Sequence, residues 1–178
     1  MSETYAIELK NITKRFGKVT ANDKVCLSVK KGEILSILGE NGSGKTTLMN
    51  MISGIYYPDE GQILVNGEDI TRQKDFIRHR RIGRVFQDPS KGTCPNMTIL
   101  ENLAIADNKG KGYGFGRGTN KSRIDAYREM LSGVNLGLED KLHTKVGAMS
   151  GGQRQTLALL MATMNPIEFL ILDEHTAA

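Results

Sequence analysis

The stretch that decides the fold is Gly39-Glu40-Asn41-Gly42-Ser43-Gly44-Lys45-Thr46, which fits the pattern G-x-x-x-x-G-K-[ST]. Residues 33–38 before it are rich in apolar side chains and predict a strand buried on both faces. Residues 45–52 predict a helix that Ser53-Gly54 closes. In a strand, glycine loop and helix of this order, successive backbone N–H groups can surround phosphates at the helix N-terminus. The sequence therefore predicts a phosphate-binding loop in an α/β protein.

Three side chains of this loop have predicted roles. We expect Lys45 to reach the β- and γ-phosphates, Thr46 to bind Mg²⁺ through its hydroxyl, and Thr47 to lie near the α-phosphate. A flexible glycine turn is the alternative interpretation. The strand predicted before the loop and the helix predicted after it favour the phosphate-binding loop.

A second pattern lies near the other end of the chain, where an apolar strand, residues 169–172, ends in two carboxylates. Asp173 is predicted to hold Mg²⁺. Glu174 is expected to point in a different direction from Asp173 and is predicted to act as the general base for the water that attacks the γ-phosphate. An acidic pair after a strand is weak evidence alone, but together with the phosphate loop it indicates nucleotide hydrolysis.

A third pattern is Ser150-Gly151-Gly152-Gln153, whose serine and glutamine have the spacing of a capping box before a helix predicted at residues 154–164. A helix N-terminus with two glycines can bind an anion. Since one chain offers only one strand, loop and helix site for a nucleotide, this second cradle is predicted to serve the nucleotide of another subunit. An ordinary capped helix is the alternative.

The rest of the chain separates into a strand-rich and a helical part. Strands are predicted at residues 5–12, 25–29, 62–65 and 82–86. Residues 88–149 predict a mainly helical part with a capping box at Thr98 and Glu101. Within it, residues 109–118 carry glycine at every second position and predict a solvated connector, although the interleaved basic and aromatic residues could bind RNA or a membrane surface.

Composition sets outer bounds on the protein. With 178 residues, 39% hydrophobic and 25% charged, the chain predicts one globular domain with no membrane-spanning run or signal peptide. The net charge of +4 suits anionic partners without choosing among them. Cys26 and Cys94 have no metal-ligand spacing and receive no predicted role.

With these motifs in place, the chain resembles the nucleotide-binding domain of ABC transporters over essentially its whole length. Gly39 to Thr46 matches the Walker A motif, Gln87 the Q-loop, Ser150 to Gln153 the signature, and residues 169–174 the Walker B motif. The resemblance implies an α/β P-loop NTPase with a largely parallel sheet, an N-terminal antiparallel β portion and an inserted helical subdomain. Residues 1–87 and 150–178 would form the nucleotide-binding core, and residues 88–149 the helical subdomain.

The resemblance also implies further site residues and partners. Phe16 lies where the family places the aromatic residue that stacks on adenine, with core packing as the alternative. Gln87 would bind Mg²⁺, contribute to catalysis with Lys45 and Glu174, and begin the helical part that touches the membrane subunit. Two copies would close head to tail on two ATP molecules, with Ser150 to Gln153 completing the partner's site.

A narrower match, at residues 83–89 and 95–104, resembles the ATPases of bacterial importers that use a separate substrate-binding protein. It implies an Mg-dependent ATPase bound to permease subunits at the cytoplasmic face of the membrane, soluble when isolated, with no nucleic-acid partner. The alternative is a non-transport ABC ATPase that acts on ribosomes or nucleic acid, for which the basic glycine loop and the positive charge would be the support.

The sequence departs from the family pattern in three places. Met149 replaces a leucine, a volume-conserving change, and His175 replaces a proline and is predicted to be structural. The resemblance also implies that the family continues beyond Ala178, so we expect the switch histidine to be missing from this sequence. From this we expect a C-terminally truncated domain with reduced stability and weak or no ATPase activity.

Overall fold

The computed structural model describes residues 5–112, 118–119 and 121–173. The chain divides into two compact units, the first comprising Met1–Ile82 and the second Gly83–Ala178. Glu174, His175 and part of the glycine-rich segment 109–118 lie outside the described residues. No helix within the described ranges is long and apolar enough to cross a membrane.

The first unit is built on an antiparallel sheet, as predicted for the N-terminal part. Strands β1 (Tyr5–Phe16) and β2 (Val19–Lys30) form a hairpin in which Phe16 pairs with Val19. Strands β3 (Glu60–Val65) and β4 (Glu68–Asp69) extend the sheet to the order β2-β1-β3-β4. The two-residue turn between β3 and β4 has positive φ at Asn66 and Gly67, the backbone that such hairpins require.

Helix α1 (Lys45–Ser53) follows the glycine loop and buries Leu48, Met51 and Ile52. Gly44 and Gly54 lie at its two ends, both with φ near 88°. Glycine adopts this left-handed conformation without steric cost, so it can both start and stop the helix. The helix predicted from the sequence is therefore confirmed to within a residue at its C-terminus.

A buried arginine holds the C-terminal end of α1. Arg78, the last residue of the short helix α2 (Asp75–Arg78), is fully buried. Its guanidinium donates hydrogen bonds to the carbonyls of Met51 and Ile52 in α1, and to those of Thr71 and Gln73. Burial lowers the pKa of the Arg78 guanidinium. The carbonyl groups that a helix leaves without internal partners are thereby satisfied.

The strand predicted at residues 33–38 is not formed. These residues have no strand structure, and Ile34 and Leu38 are 95% and 92% exposed. The prediction was wrong at this point because an apolar run becomes a buried strand only where a sheet offers a backbone edge to it. The first unit's sheet is assembled from β1 to β4 without this run.

The second unit combines a two-stranded sheet with helices. Strand β5 (Ile82–Val85) neighbours β6 (Phe169–Leu172), and the N–H of Asp173 donates to the carbonyl of Val85 at 3.0 Å. Among the described residues, three α-helices follow β5 in the chain and precede β6: α3 (Ile99–Asp107), α4 (Ile124–Ser132) and α5 (Gly151–Thr163). Their apolar faces meet in one core that includes Leu103, Tyr127, Leu131 and Leu157.

The helices begin where their caps place them. Thr98 and Glu101 exchange the two hydrogen bonds of a capping box at the start of α3, as the sequence predicts. Helix α5 begins at Gly151 rather than at residue 154, because Ser150 is itself the cap and the helix starts at the next residue.

A charged network ties α3 to α4. The carboxylate of Asp107, at the end of α3, accepts hydrogen bonds from Arg123 at 2.8 and 3.1 Å and from the Tyr127 hydroxyl at 2.8 Å. The Arg123 guanidinium holds the pKa of Asp107 below its usual value. Burial raises the pKa of Tyr127 to about 12. The network therefore contributes most to stability where Asp107 is ionised and Tyr127 is protonated.

Candidate nucleotide site

The phosphate loop wraps around the ammonium group of Lys45. Nζ donates to the carbonyl oxygens of Gly39 and Glu40, the latter at 2.7 Å, and to the Ser43 hydroxyl at 3.2 Å. The loop thus surrounds the positive charge of Lys45 with its own oxygen atoms. A phosphate entering the loop would meet this charge together with the backbone N–H groups at the start of α1.

Two glycines are required by the backbone of this loop. Gly42 and Gly44 have φ of +85° and +88°. A Cβ on Gly44 would lie 2.2 Å from the carbonyl oxygen of Ala21, whereas a Cβ on Gly42 would meet nothing within 4 Å. Gly44 is therefore fixed by both backbone conformation and space, and Gly42 by conformation alone.

The remaining loop residues are open to solvent. Gly39, Glu40, Asn41 and Thr46 are exposed, and Thr47 is half-buried within the first turn of α1. No side chain caps this helix, and its first turn contains no acidic residue. The N-terminus of α1 therefore keeps both its free N–H groups and its positive dipole end for an anion.

Phe16, the residue expected to stack on adenine, lies at the end of β1 in the same unit as the phosphate loop. Its side chain is 44% exposed, which disfavours the core-packing alternative. The ring of Tyr56 meets it edge to face at 5.4 Å, and Lys14 Nζ lies 5.5 Å from its centroid. Sequence reasoning missed Tyr56, since nothing local signals a contact across 40 residues of chain.

The second unit contains the predicted Asp173 and Gln87. Asp173 directly follows β6, and its Oδ2 accepts a hydrogen bond from Arg84 Nη2 at 3.0 Å. The Arg84 guanidinium lies 4.6 Å from the centre of the Phe86 ring. Gln87, the next residue, is exposed. Arg84 was not among the predicted site residues, although it lies only three positions before Gln87 in the sequence.

Ser150 to Gln153 form the capped N-terminus of α5. The N–H of Gln153 donates to Ser150 Oγ at 3.3 Å, and the N–H of Ser150 donates to Gln153 Oε1 at 3.2 Å. Gly151 and Gly152 are exposed and have open space where a Cβ would stand. The structure therefore contains the predicted capping box with an open glycine pair behind it.

The side chains predicted to hold magnesium have suitable chemistry. Taken one by one, Thr46 carries a hydroxyl, Gln87 an amide oxygen and Asp173 a carboxylate, and Mg²⁺ prefers oxygen ligands of these kinds. Asp173 keeps about a quarter of its side chain exposed, so that its carboxylate remains accessible. Within residues 5–112, 118–119 and 121–173, no group of three or more His, Cys, Asp or Glu residues could hold a metal alone. Few protein ligands are enough for Mg²⁺, because this ion usually keeps several water molecules and binds phosphate oxygens as well.

Comparisons with known proteins identify the family of this chain. The ABC transporter family profile matches residues 22–177. The tyrosine transport ATP-binding protein of Clostridioides difficile is 40% identical over 177 residues, covering 97% of this chain and 70% of that protein. The Fe(3+) ions import ATP-binding protein FbpC of Escherichia coli O157:H7 is 38% identical over 175 residues, covering 98% of this chain and 47% of that protein. This chain thus spans about half the length of the iron-transport relative.

A solved structure gives the same result for the fold. A dimeric ATP-binding cassette in a post-hydrolysis state, bound to ADP and Pi, matches with a TM-score of 0.76 and 31% identity over 93% of this chain and 72% of that one. Both the predicted fold class and the predicted family are therefore confirmed. The chain belongs to the ABC transporter family and has the fold of its ATP-binding cassettes.

Proposed function

We propose that this chain binds and hydrolyses ATP as the ATPase subunit of an ABC importer. The observation that carries the proposal is the Lys45 ammonium enclosed by oxygen atoms of Gly39, Glu40 and Ser43 at the uncapped N-terminus of α1. A loop of this kind binds the β- and γ-phosphates through backbone N–H groups and one fixed cation. The names of the relatives, both of them ATP-binding proteins of transport systems, support a transport role.

The roles of the individual residues follow from their chemistry. Lys45 neutralises charge on the phosphates, while the partly exposed ring of Phe16 would stack on the adenine. Thr46, Gln87 and Asp173 would hold Mg²⁺, which bridges phosphate oxygens and neutralises the charge that develops in the transition state. Glu174 would take the proton of the attacking water. Mg²⁺ dependence is therefore part of the proposal.

The partners follow from the second glycine-bearing helix. Ser150 to Gln153 at the N-terminus of α5 would contact the γ-phosphate held by a second copy, so that two chains close head to tail on two ATP molecules. The dimeric cassette with ADP and Pi supports such an assembly. The proposed complex includes permease subunits at the cytoplasmic face of the membrane and a separate substrate-binding protein. The names of the relatives do not support a ribosomal or nucleic-acid role.

Phosphate release from saturating Mg-ATP, with ATP binding measured on the same samples, tests the catalytic part. Glu174→Gln should retain ATP binding and abolish phosphate release, because it removes the base and leaves the phosphate loop intact. Addition of EDTA should abolish release from the unsubstituted chain. The expectation of weak turnover stays a prediction that the same assay checks.

Lys141→Ala is the matched control, since this lysine is exposed in a 3₁₀ turn outside the site. It should behave as the unsubstituted chain. Measurable phosphate release from Glu174→Gln at the rate of the unsubstituted chain would contradict the assignment of the base. Failure of the chain to bind ATP at all would contradict the proposed function.

A further inference from the structure

The guanidinium of Arg84 contacts one proposed magnesium ligand, Asp173, and the residue that precedes another, Phe86. On one side it donates to Asp173 Oδ2 at 3.0 Å, and on the other it packs on the Phe86 ring at 4.6 Å from the ring centre. Phe86 directly precedes Gln87, the other second-unit residue assigned to Mg²⁺. An arginine is always charged in a protein, so Asp173 has a permanent cation as its neighbour.

The ion pair is not needed to join the two strands. The backbone already links them, because the N–H of Asp173 donates to the carbonyl of Val85 at 3.0 Å. The two partners also differ in burial, with 3% of the Arg84 side chain exposed against 26% of Asp173. The cation is therefore on the inner side of the pair, and the carboxylate retains an outer side that a second cation could approach.

A carboxylate paired with a guanidinium attracts a divalent ion less than an unpaired carboxylate does. The Arg84 contact neutralises part of its charge, and the guanidinium repels any cation that binds at the same group. In a partly buried setting this repulsion is weakly screened by water and salt. Arg84 therefore opposes Mg²⁺ at Asp173.

We propose that Arg84 is a resident counter-ion of Asp173 that sets the Mg²⁺ concentration at which the chain binds nucleotide tightly. The inference rests on the proposed function, because it takes Asp173 as a magnesium ligand. Arg84 acts through Asp173 and is a positioning residue. It keeps the carboxylate in place and paired, and yields part of that pairing when the magnesium nucleotide is loaded.

The test is the affinity for a fluorescent ATP analogue, measured in EDTA and at a series of free Mg²⁺ concentrations. Arg84→Met should lower the Mg²⁺ concentration for half-maximal tightening by about five- to tenfold, the effect of removing one partly buried charge. Its affinity in EDTA should stay within about twofold of that of the unsubstituted chain. Arg84→Lys retains a cation and should stay close to the unsubstituted Mg²⁺ dependence.

Arg84→Gln, which is neutral but polar, repeats the test if Arg84→Met does not fold. An Arg84 with only a structural role would lower the melting temperature and weaken binding equally with and without Mg²⁺, and that result would overturn the inference. The inference would also be overturned if Arg84→Lys lowered the Mg²⁺ concentration for half-maximal tightening as much as the neutral variants do.

Asp173→Asn separates this inference from the proposal on which it rests. It should weaken the Mg²⁺ dependence of nucleotide binding, and the double variant with Arg84→Met should show no further change in that dependence. If Asp173→Asn retains the full Mg²⁺ dependence, the assignment of Asp173 as a ligand fails. If Asp173→Asn weakens the dependence while the neutral Arg84 variants leave it unchanged, the assignment stands and the inference about Arg84 fails.

Discussion

The two glycine-bearing helix N-termini of this chain are built in opposite ways. Helix α1 starts at a left-handed glycine, Gly44, and no side chain caps it. Helix α5 is capped by Ser150, whose hydroxyl accepts a hydrogen bond from the N–H of Gln153 in a complete capping box. The N-terminus of α1 leaves its backbone N–H groups for a ligand and adds the Lys45 ammonium. The N-terminus of α5 already has a side-chain acceptor for one of its backbone N–H groups.

This difference suggests a division of labour. An uncapped N-terminus with an enclosed ammonium gains most from a bound phosphate, because the phosphate supplies the missing acceptors. A capped helix N-terminus is stable without a ligand, so it can gain or lose a contact with a nucleotide at little cost in stability. A helix end that contacts the nucleotide of another subunit needs this property. We therefore interpret α1 as the principal phosphate site and α5 as the group that senses a nucleotide held by another copy.

The largest expected effect concerns the glycine at the start of α1. Gly44→Ala should destabilise the chain by about 3 to 5 kcal/mol, because the new Cβ adds a clash with the Ala21 carbonyl to an unfavourable φ. Gly42→Ala is the control, since it has the same φ but open space, and should cost about 1 to 2 kcal/mol. Urea unfolding measures both. Equal losses would show that the close approach to Ala21 does not limit the loop.

The two helix ends also belong to units with different electrostatic anchors. Arg78 secures α1 through backbone carbonyls, whereas the helical part that contains α5 relies on the carboxylate of Asp107. Because the pKa of Asp107 is lowered in the folded chain, its contribution is present above the unfolded value near 4 and is lost as the pH falls through the folded value.

Asp107→Asn should therefore cost about 2 kcal/mol at pH 7, as expected for charge-assisted hydrogen bonds, and progressively less below about pH 4. Urea unfolding across this range checks it. Asp125→Asn is the control, because Asp125 is 94% exposed and pairs with Arg128 only at 3.4 Å. A cost for Asp107→Asn that does not change with pH would contradict the account of the network.

The two capping boxes provide a matched pair with a smaller effect. Ser150→Ala and Thr98→Ala each remove one cap and should each cost about 1 kcal/mol in urea unfolding. Only Ser150→Ala should also weaken ATP-dependent dimerisation, measured by sedimentation, since only α5 is assigned to the partner's nucleotide. Loss of dimerisation in both variants would mean that helix stability, and not the signature, controls assembly.

The smallest expected effect is at Phe16. Phe16→Leu should weaken ATP binding by about fivefold, close to 1 kcal/mol of lost ring stacking, while leaving the affinity for tripolyphosphate unchanged. Calorimetric titration with the two ligands measures this. Equal losses for both ligands would indicate that Phe16 supports the loop and does not contact a base.

The features predicted correctly from the sequence are those that short-range physics determines. The helix after the glycine loop and both capping boxes depend on residues within a few positions of one another, and these appear as expected. Residues 33–38 were mispredicted because strand formation depends on a distant backbone partner. The contacts of Arg84 with Asp173 and of Phe16 with Tyr56 join residues far apart in the chain, so no local pattern could have signalled them.

The most direct test of the central claim is ATP affinity in Lys45→Ala and Ser150→Ala, compared at protein concentrations too low for dimers. The account predicts a loss of about 100-fold for Lys45→Ala, which removes the charge enclosed by the α1 loop, and less than about threefold for Ser150→Ala. An equal or greater loss for Ser150→Ala would contradict the assignment of α1 as the principal phosphate site.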